Sequence, residues 1–139
     1  MDRLIIERKL ESLRRSLERV SSKCPRTVEE LIHDIDAQDI VVLNLSRAVQ
    51  QCVDIGTHLL SDSRFPTPET MGSTFELLAA EGIIDPDLAA RIKKSVGFRN
   101  VAVHSYSVLD MAIVHAIARD HLEDFRSFGR AVTEVLKEQ

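Results

Sequence analysis

The chain has no tryptophan, one tyrosine and five phenylalanines, and only five glycines and four prolines in 139 residues. Strands draw on aromatic and β-branched residues, and hairpins on glycine. This scarcity, beside abundant Leu, Ala, Glu, Arg and Val, predicts helices rather than a sheet. Two cysteines, Cys24 and Cys52, are too few for a disulfide framework. They suit reduced thiols, and a cytoplasmic location is expected, since charges at Asp2 and Arg3 give no sign of a secretory leader. The longest strongly apolar run, Ile40 to Leu43, is far too short to span a bilayer, so no membrane partner is expected. There is no glycine-rich phosphate loop. A net charge of −4 argues against a general nucleic-acid coat protein, which needs a broad basic face, and no DNA partner is expected. It leaves room for a nuclease with a small basic cleft.

One further absence is local. From Leu88 to Leu109 there is no Asp or Glu, although the chain has 22 of them, while Arg91, Lys93, Lys94 and Arg99 all fall in this window. That asymmetry points to a local anion-binding surface on a protein that otherwise repels polyanions. The window contains Gly97-Phe98-Arg99-Asn100-Val101-Ala102-Val103-His104-Ser105-Tyr106. No other stretch concentrates groups able to bind a phosphate, move a proton and accept a covalent group.

Apolar periodicity organises the rest into one domain spanning 1–139. Ile6, Leu10, Leu13, Leu17 and Val20 form one stripe on a helix from about Asp2 to Cys24, ended by Pro25. Thr27 with Glu30 reads as a capping box opening a long helix to about Leu60, with a kink or break allowed at the polar Gln38-Asp39 pair. A loop over 61–69 leads to a short helix from Thr70 to Glu81, stopped by Gly82. Asp85-Pro86 starts a fourth helix that carries the central stretch and ends between His104 and Ser107. Asp110 caps a last helix from Met111 to Lys137, with Ile113, Ile117, Phe125, Phe128, Val132 and Leu136 on its apolar face. The fold expected is all-α: an antiparallel bundle of four principal helices plus one short fifth helix.

On an α-helix Tyr106 lies roughly 20° from Arg99, whereas Asn100 and His104 lie roughly 100° and 140° away. Arg99 and His104 therefore do not point the same way, and one helix alone is a poor active site. Two copies about a twofold axis would let each histidine face its mate across a cleft. Gly97, on the histidine side, leaves room for a partner backbone or a ligand. The chemistry suits phosphodiester cleavage. Arg99 offers a permanent charged fork, His104 exchanges a proton near neutral pH, and Asn100 can hold an imidazole tautomer or contact a ribose. RNA brings its own nucleophile in the 2′-hydroxyl, so neither a metal nor another cofactor is required.

The run Arg99-Asn100-x-x-x-His104 resembles the signature of HEPN domains: Arg, a polar residue, three variable positions, then His. The x-Tyr106 that follows is similar to the HepT-type toxin branch, as are the helix order and the run from Ser46 to Gly56. The resemblance implies a homodimer with the motif at its cleft and metal-independent endoribonuclease activity. In it Arg99 stabilises the transition state, His104 is the general acid or base, Asn100 orients the site, and Asp54 on the long helix supports it. It also implies a minimal nucleotidyltransferase antitoxin that transfers AMP to Tyr106. With a reference pKa near 10, Tyr106 suits a modification target or hydrogen-bond donor better than a base. The rival reading is a non-catalytic HEPN-like module that binds a nucleotide or assists a nucleotidyltransferase, with Arg99 and Tyr106 as contacts. Other constellations are weaker. Glu30-x-x-His33 has the spacing of half a di-iron site without a second half, His115 and His121 read as ordinary helix residues, and Cys52 reads as core.

Overall fold

Asp2 opens α1 (Arg3–Lys23) by accepting a hydrogen bond from the Ile5 amide, which satisfies one of the free donors at the helix start. The computed structural model describes residues 2–62 and 64–138; Met1, Ser63 and Gln139 lie outside the described residues. The predicted stripe of α1 is the buried one: Ile6, Leu13, Leu17 and Val20 enter the core and Leu10 packs against it. Among the described residues all regular structure is helical: α2 (Val28–Ile32), α3 (Ile35–Leu59), α4 (Met71–Ala80), α5 (Pro86–His104), a 3₁₀ turn (Tyr106–Val108), α6 (Met111–Asp120) and α7 (Leu122–Lys137). No helix among the described residues is long and apolar enough to cross a membrane.

The expectation of an all-α, HEPN-like fold is met, but two helices read as continuous are each interrupted. The first break falls at His33-Asp34, not at Gln38-Asp39. Asp34 turns its carboxylate onto the Ala37 amide and restarts the chain as α3. Gln38 then reaches back, donating to the Leu31 and Ile32 carbonyls at the end of α2, the first of which also accepts from the Asp34 amide. The Thr27–Glu30 box is half-formed: Thr27 Oγ1 accepts from the Glu30 amide, while the Glu30 carboxylate takes the Thr27 hydroxyl rather than a backbone amide. The second break is at His121, which separates α6 from α7 without a side-chain cap. The buried line across it runs through Val114, Ala118, Leu122, Phe125, Phe128, Val132 and Leu136. Ile113, expected on the inner face, is instead 56% exposed.

Helix α3 is the axis of the molecule, and α1, α4 and α5 all pack on it. Gly56 is where α4 comes nearest, since a Cβ there would sit 2.5 Å from the Thr74 methyl. Phe75 of α4 meets Phe128 of α7 edge to face, ring centres 6.0 Å apart, closing the core under α5. Gly82, at φ +74, ends α4 in the left-handed region as predicted, and Asp85-Pro86 restarts the chain as α5.

Candidate active site

Burial of Leu88, Ala89, Ile92, Val96 and Ala102 fixes the rotation of α5 about its axis. That rotation leaves Arg99 half-buried and turns Asn100, Val103 and His104 outward at the helix end. Arg99 Nη1 lies 3.4 Å from Asn100 Oδ1 and 3.9 Å from the Met71 sulfur at the start of α4. Both contacts are long, and Arg99 makes no ion pair among the described residues. The other cations of the acid-free window fare differently. Arg91 Nε sits 2.9 Å from Asp124 of α7, and Lys93 pairs with Glu76 of α4. Folding thus brings acids from other elements to two of the four cations. The uncompensated charge falls on Lys94 and on Arg99, of which Arg99 belongs to the motif.

Past Ser105 the chain tightens into the 3₁₀ turn, with the Val108 amide bonded to the Ser105 carbonyl and the Leu109 amide to that of Tyr106. The turn lays the Tyr106 ring back against α3, where its hydroxyl donates to Asp39 Oδ1 at 2.6 Å. Partial burial of the ring, and then the Asp39 carboxylate, push the Tyr106 phenol up to about 12, because both disfavour a phenolate. Tyr106 is therefore a phenol at neutral pH and not a resident base. Sequence reasoning missed Asp39 as the partner of the Tyr106 hydroxyl. Its only signal was a polar residue interrupting the apolar stripe of α3.

Asp54, expected to support the motif, lies 15 residues further along α3, about 22 Å from Asp39 along the helix axis. Its two oxygens are taken by Lys9 Nζ at 3.3 Å and Gln50 Nε2 at 2.8 Å, so its bonds hold α1 to α3 rather than Arg99 or His104. His33 Nδ1 lies 2.8 Å from the Glu29 carbonyl, and His115 Nε2 lies 2.9 Å from that of Pro25. Both contacts are to backbone. Cys52 is fully buried, which pushes its thiol well above the ordinary range and makes it a core residue.

Beside the motif lies an open apolar groove of about 720 Å³ between α5, the 3₁₀ turn, α6 and α7. Phe98, Val101, Val108, Leu109, Ile113 and Ile117 line it, with Gly97 at one wall. Val108 is 71% exposed, and Val101, Val103 and Ile113 are exposed as well. Exposed apolar surface of this kind marks places where proteins meet a partner or a ligand.

A family model described as ribonuclease HepT-like matches residues 13–132. The chain belongs to the HepT-like ribonuclease family. It is 35% identical over 124 residues to the mRNA nuclease HepT of Shewanella oneidensis, covering 89% of this chain and 92% of that one. It is 27% identical over 133 residues to the tRNA nuclease HepT of Aphanizomenon flos-aquae, covering 96% of this chain and 90% of that one. Among solved structures, the tri-AMPylated HEPN toxin of Shewanella oneidensis in complex with its MNT antitoxin superposes with a TM-score of 0.88 at 33% identity. That match covers 96% of this chain and 99% of the toxin. The HEPN resemblance drawn from the Arg99-to-Tyr106 run thus holds at the level of the family, and the fold extends over nearly the whole chain.

Proposed function

We propose that this chain is the toxin of a toxin–antitoxin pair, a cytoplasmic endoribonuclease whose active site is assembled in a homodimer from Arg99, Asn100 and His104 of each protomer. One observation carries this reading. A guanidinium without a carboxylate partner among the described residues and an exposed histidine stand at one helix end, beside an exposed apolar groove. A structural arginine would normally be paired, and a solvated one would not need the groove. Pairing two copies through Val101, Val103, Val108 and Ile113 would bury apolar surface and bring the two α5 ends face to face.

At such a cleft the 2′-oxygen of a ribose attacks the adjacent phosphorus and the bond to the 5′-oxygen of the next nucleotide breaks. His104 of one protomer takes the 2′-hydroxyl proton and His104 of the other returns one to the 5′-oxygen. Arg99 holds the non-bridging oxygens as charge gathers on them. The products are a 2′,3′-cyclic phosphate and a 5′-hydroxyl, and no step calls for a metal. Asp54 serves this site only at a distance, by bracing α3 against α1. A nucleotidyltransferase antitoxin silences the enzyme by moving AMP onto Tyr106. The solved toxin resembling this chain is AMPylated, and Tyr106 is the only tyrosine present here. The adduct would place bulk and a negative phosphodiester where the RNA must lie.

The test is RNA cleavage in EDTA by partner-free protein whose intact mass shows Tyr106 unmodified, beside His104→Ala. Cleavage leaving 2′,3′-cyclic ends, lost in the variant while the dimer persists, is the expected result. Undiminished cleavage by His104→Ala sinks the mechanism. Absence of cleavage of any cellular RNA by the unmodified wild type transfers the weight to a partner-binding module.

A further inference from the structure

The Tyr106 hydroxyl is not free. It rests at 2.6 Å on a carboxylate 67 residues away in sequence, contributed by α3. Asp39 makes no ion pair among the described residues, and no other side chain there donates to it. A surface carboxylate with no cation and one phenolic donor is poorly explained as a stability device, because an exposed pair of this kind contributes little. Both partners are reachable from outside: Asp39 is exposed and Tyr106 is 39% exposed.

The phenol is also held in its protonated form by its surroundings. At neutral pH the phenolate is therefore scarce, and attack is helped by a base that takes the proton as the new bond forms. A base has to touch the phenolic oxygen at that moment, and the structure has one there. We infer that Asp39 is the general base for nucleotidyl transfer to Tyr106, so that the toxin supplies from its own chain a catalytic group for its own modification. This rests on the reading of Tyr106 as the modified residue.

The Tyr106 oxygen forms a bond to the α-phosphorus of a nucleoside triphosphate bound by the transferase. The bond from that phosphorus to the pyrophosphate oxygen breaks. The phenolic proton passes to Asp39, and pyrophosphate departs. Asp39 Oδ1 already accepts that hydrogen in the resting protein, so little rearrangement is needed.

The experiment uses the full-length dimer with its cognate nucleotidyltransferase, ATP and Mg²⁺, and follows AMP incorporation by intact mass and peptide mapping. Asp39→Asn is the informative variant. Its amide oxygen can still accept the phenol's hydrogen bond and hold the ring, but it cannot take the proton. The expected result is a kcat for transfer lower by about 100-fold or more, with KM for the toxin unchanged. Asp39→Glu should recover part of that loss. Cleavage of RNA by unmodified Asp39→Asn, and its melting temperature, should match wild type. Transfer to Asp39→Asn within threefold of wild type overturns the inference. So does a change confined to KM, which would make Asp39 a docking contact. Loss of RNA cleavage at an unchanged melting temperature would place Asp39 in the nuclease site and equally overturn it. Wild-type protein that takes no AMP on Tyr106 would refute the modification reading itself. Modification of wild type and Asp39→Asn at equal rates would refute the base alone.

Discussion

Arg99→Ala separates a working guanidinium from a structural one. Among the described residues the Arg99 guanidinium has only a 3.4 Å contact to Asn100 and a 3.9 Å contact to the Met71 sulfur, neither of them with a carboxylate. Removing it leaves no buried charge unpaired, so stability should fall by no more than about 0.5 kcal/mol. For a chain of this length that corresponds to a melting shift of about 2 °C. In the proposed transition state the same group would face the developing charge on the phosphorane oxygens. Losing one such donor typically costs about 10²–10³ in kcat, or about 3–4 kcal/mol of barrier. Arg99→Lys keeps the charge but loses the two-pronged geometry and should fall between the two. The assay is single-turnover cleavage of a labelled RNA in EDTA beside a thermal melt. A rate within tenfold of wild type for Arg99→Ala would refute the role. A melting temperature lower by 8 °C or more would refute the argument that the residue is structurally idle.

Tyr106→Phe forfeits one exposed hydroxyl–carboxylate bond, so its melting temperature should drop by no more than about 3 °C. It should cleave RNA at the wild-type rate yet stay active when co-incubated with the transferase and ATP. Ile113→Arg puts a charge into the apolar groove and should yield monomers by light scattering, with cleavage lost in proportion. Phe128→Ala removes the edge-to-face partner of Phe75 from the centre of the core and should cost about 3–5 kcal/mol in a denaturant titration, without changing the cleavage chemistry of the folded fraction.

Much of the scaffold was readable because local rules and tertiary packing agree. The α1 stripe, the Gly82 stop and the Asp85-Pro86 restart each need only a few neighbouring residues to declare themselves. The motif stood out in the sequence because Arg99, Asn100, His104 and Tyr106 lie within one stretch. Part of what failed depends on a side chain reaching across the chain. Gln38 and Asp39 stood out as an interruption of the apolar pattern, and the inference of a kink was drawn from them. Each instead has its own partner: Gln38 closes α2 and Asp39 holds Tyr106. The true break needs only Asp34 to prefer capping over continuing. The interruption at His121 has no capping side chain, and periodicity runs straight through it. Ile113 was misplaced because an apolar residue looks alike in sequence whether it faces the core or an exposed groove. The four cations of the window were read together as an anion-binding surface because Asp124 and Glu76, which pair with two of them, come from other helices.

The Asp39 contact also bears on how an adduct would silence the enzyme. Transfer of AMP removes the hydrogen that Asp39 accepts at 2.6 Å and puts a phosphodiester with one negative charge in its place. An attraction becomes a repulsion between like charges. At about 4 Å this is worth about 1 kcal/mol in water and up to about 4 kcal/mol near a protein surface. Both groups are exposed, so the lower figure applies. The adduct would be driven off α3, and in the proposed site Arg99 would be the cation that receives it. One carboxylate would thus assist the modification and then eject its product toward the residues to be blocked. Asp39→Asn removes the repulsion. Driven to full modification by long incubation and checked by intact mass, it should leave about fivefold more residual RNA cleavage than fully modified wild type. Equal residual cleavage in the two would show that the adduct blocks the cleft without any push from Asp39.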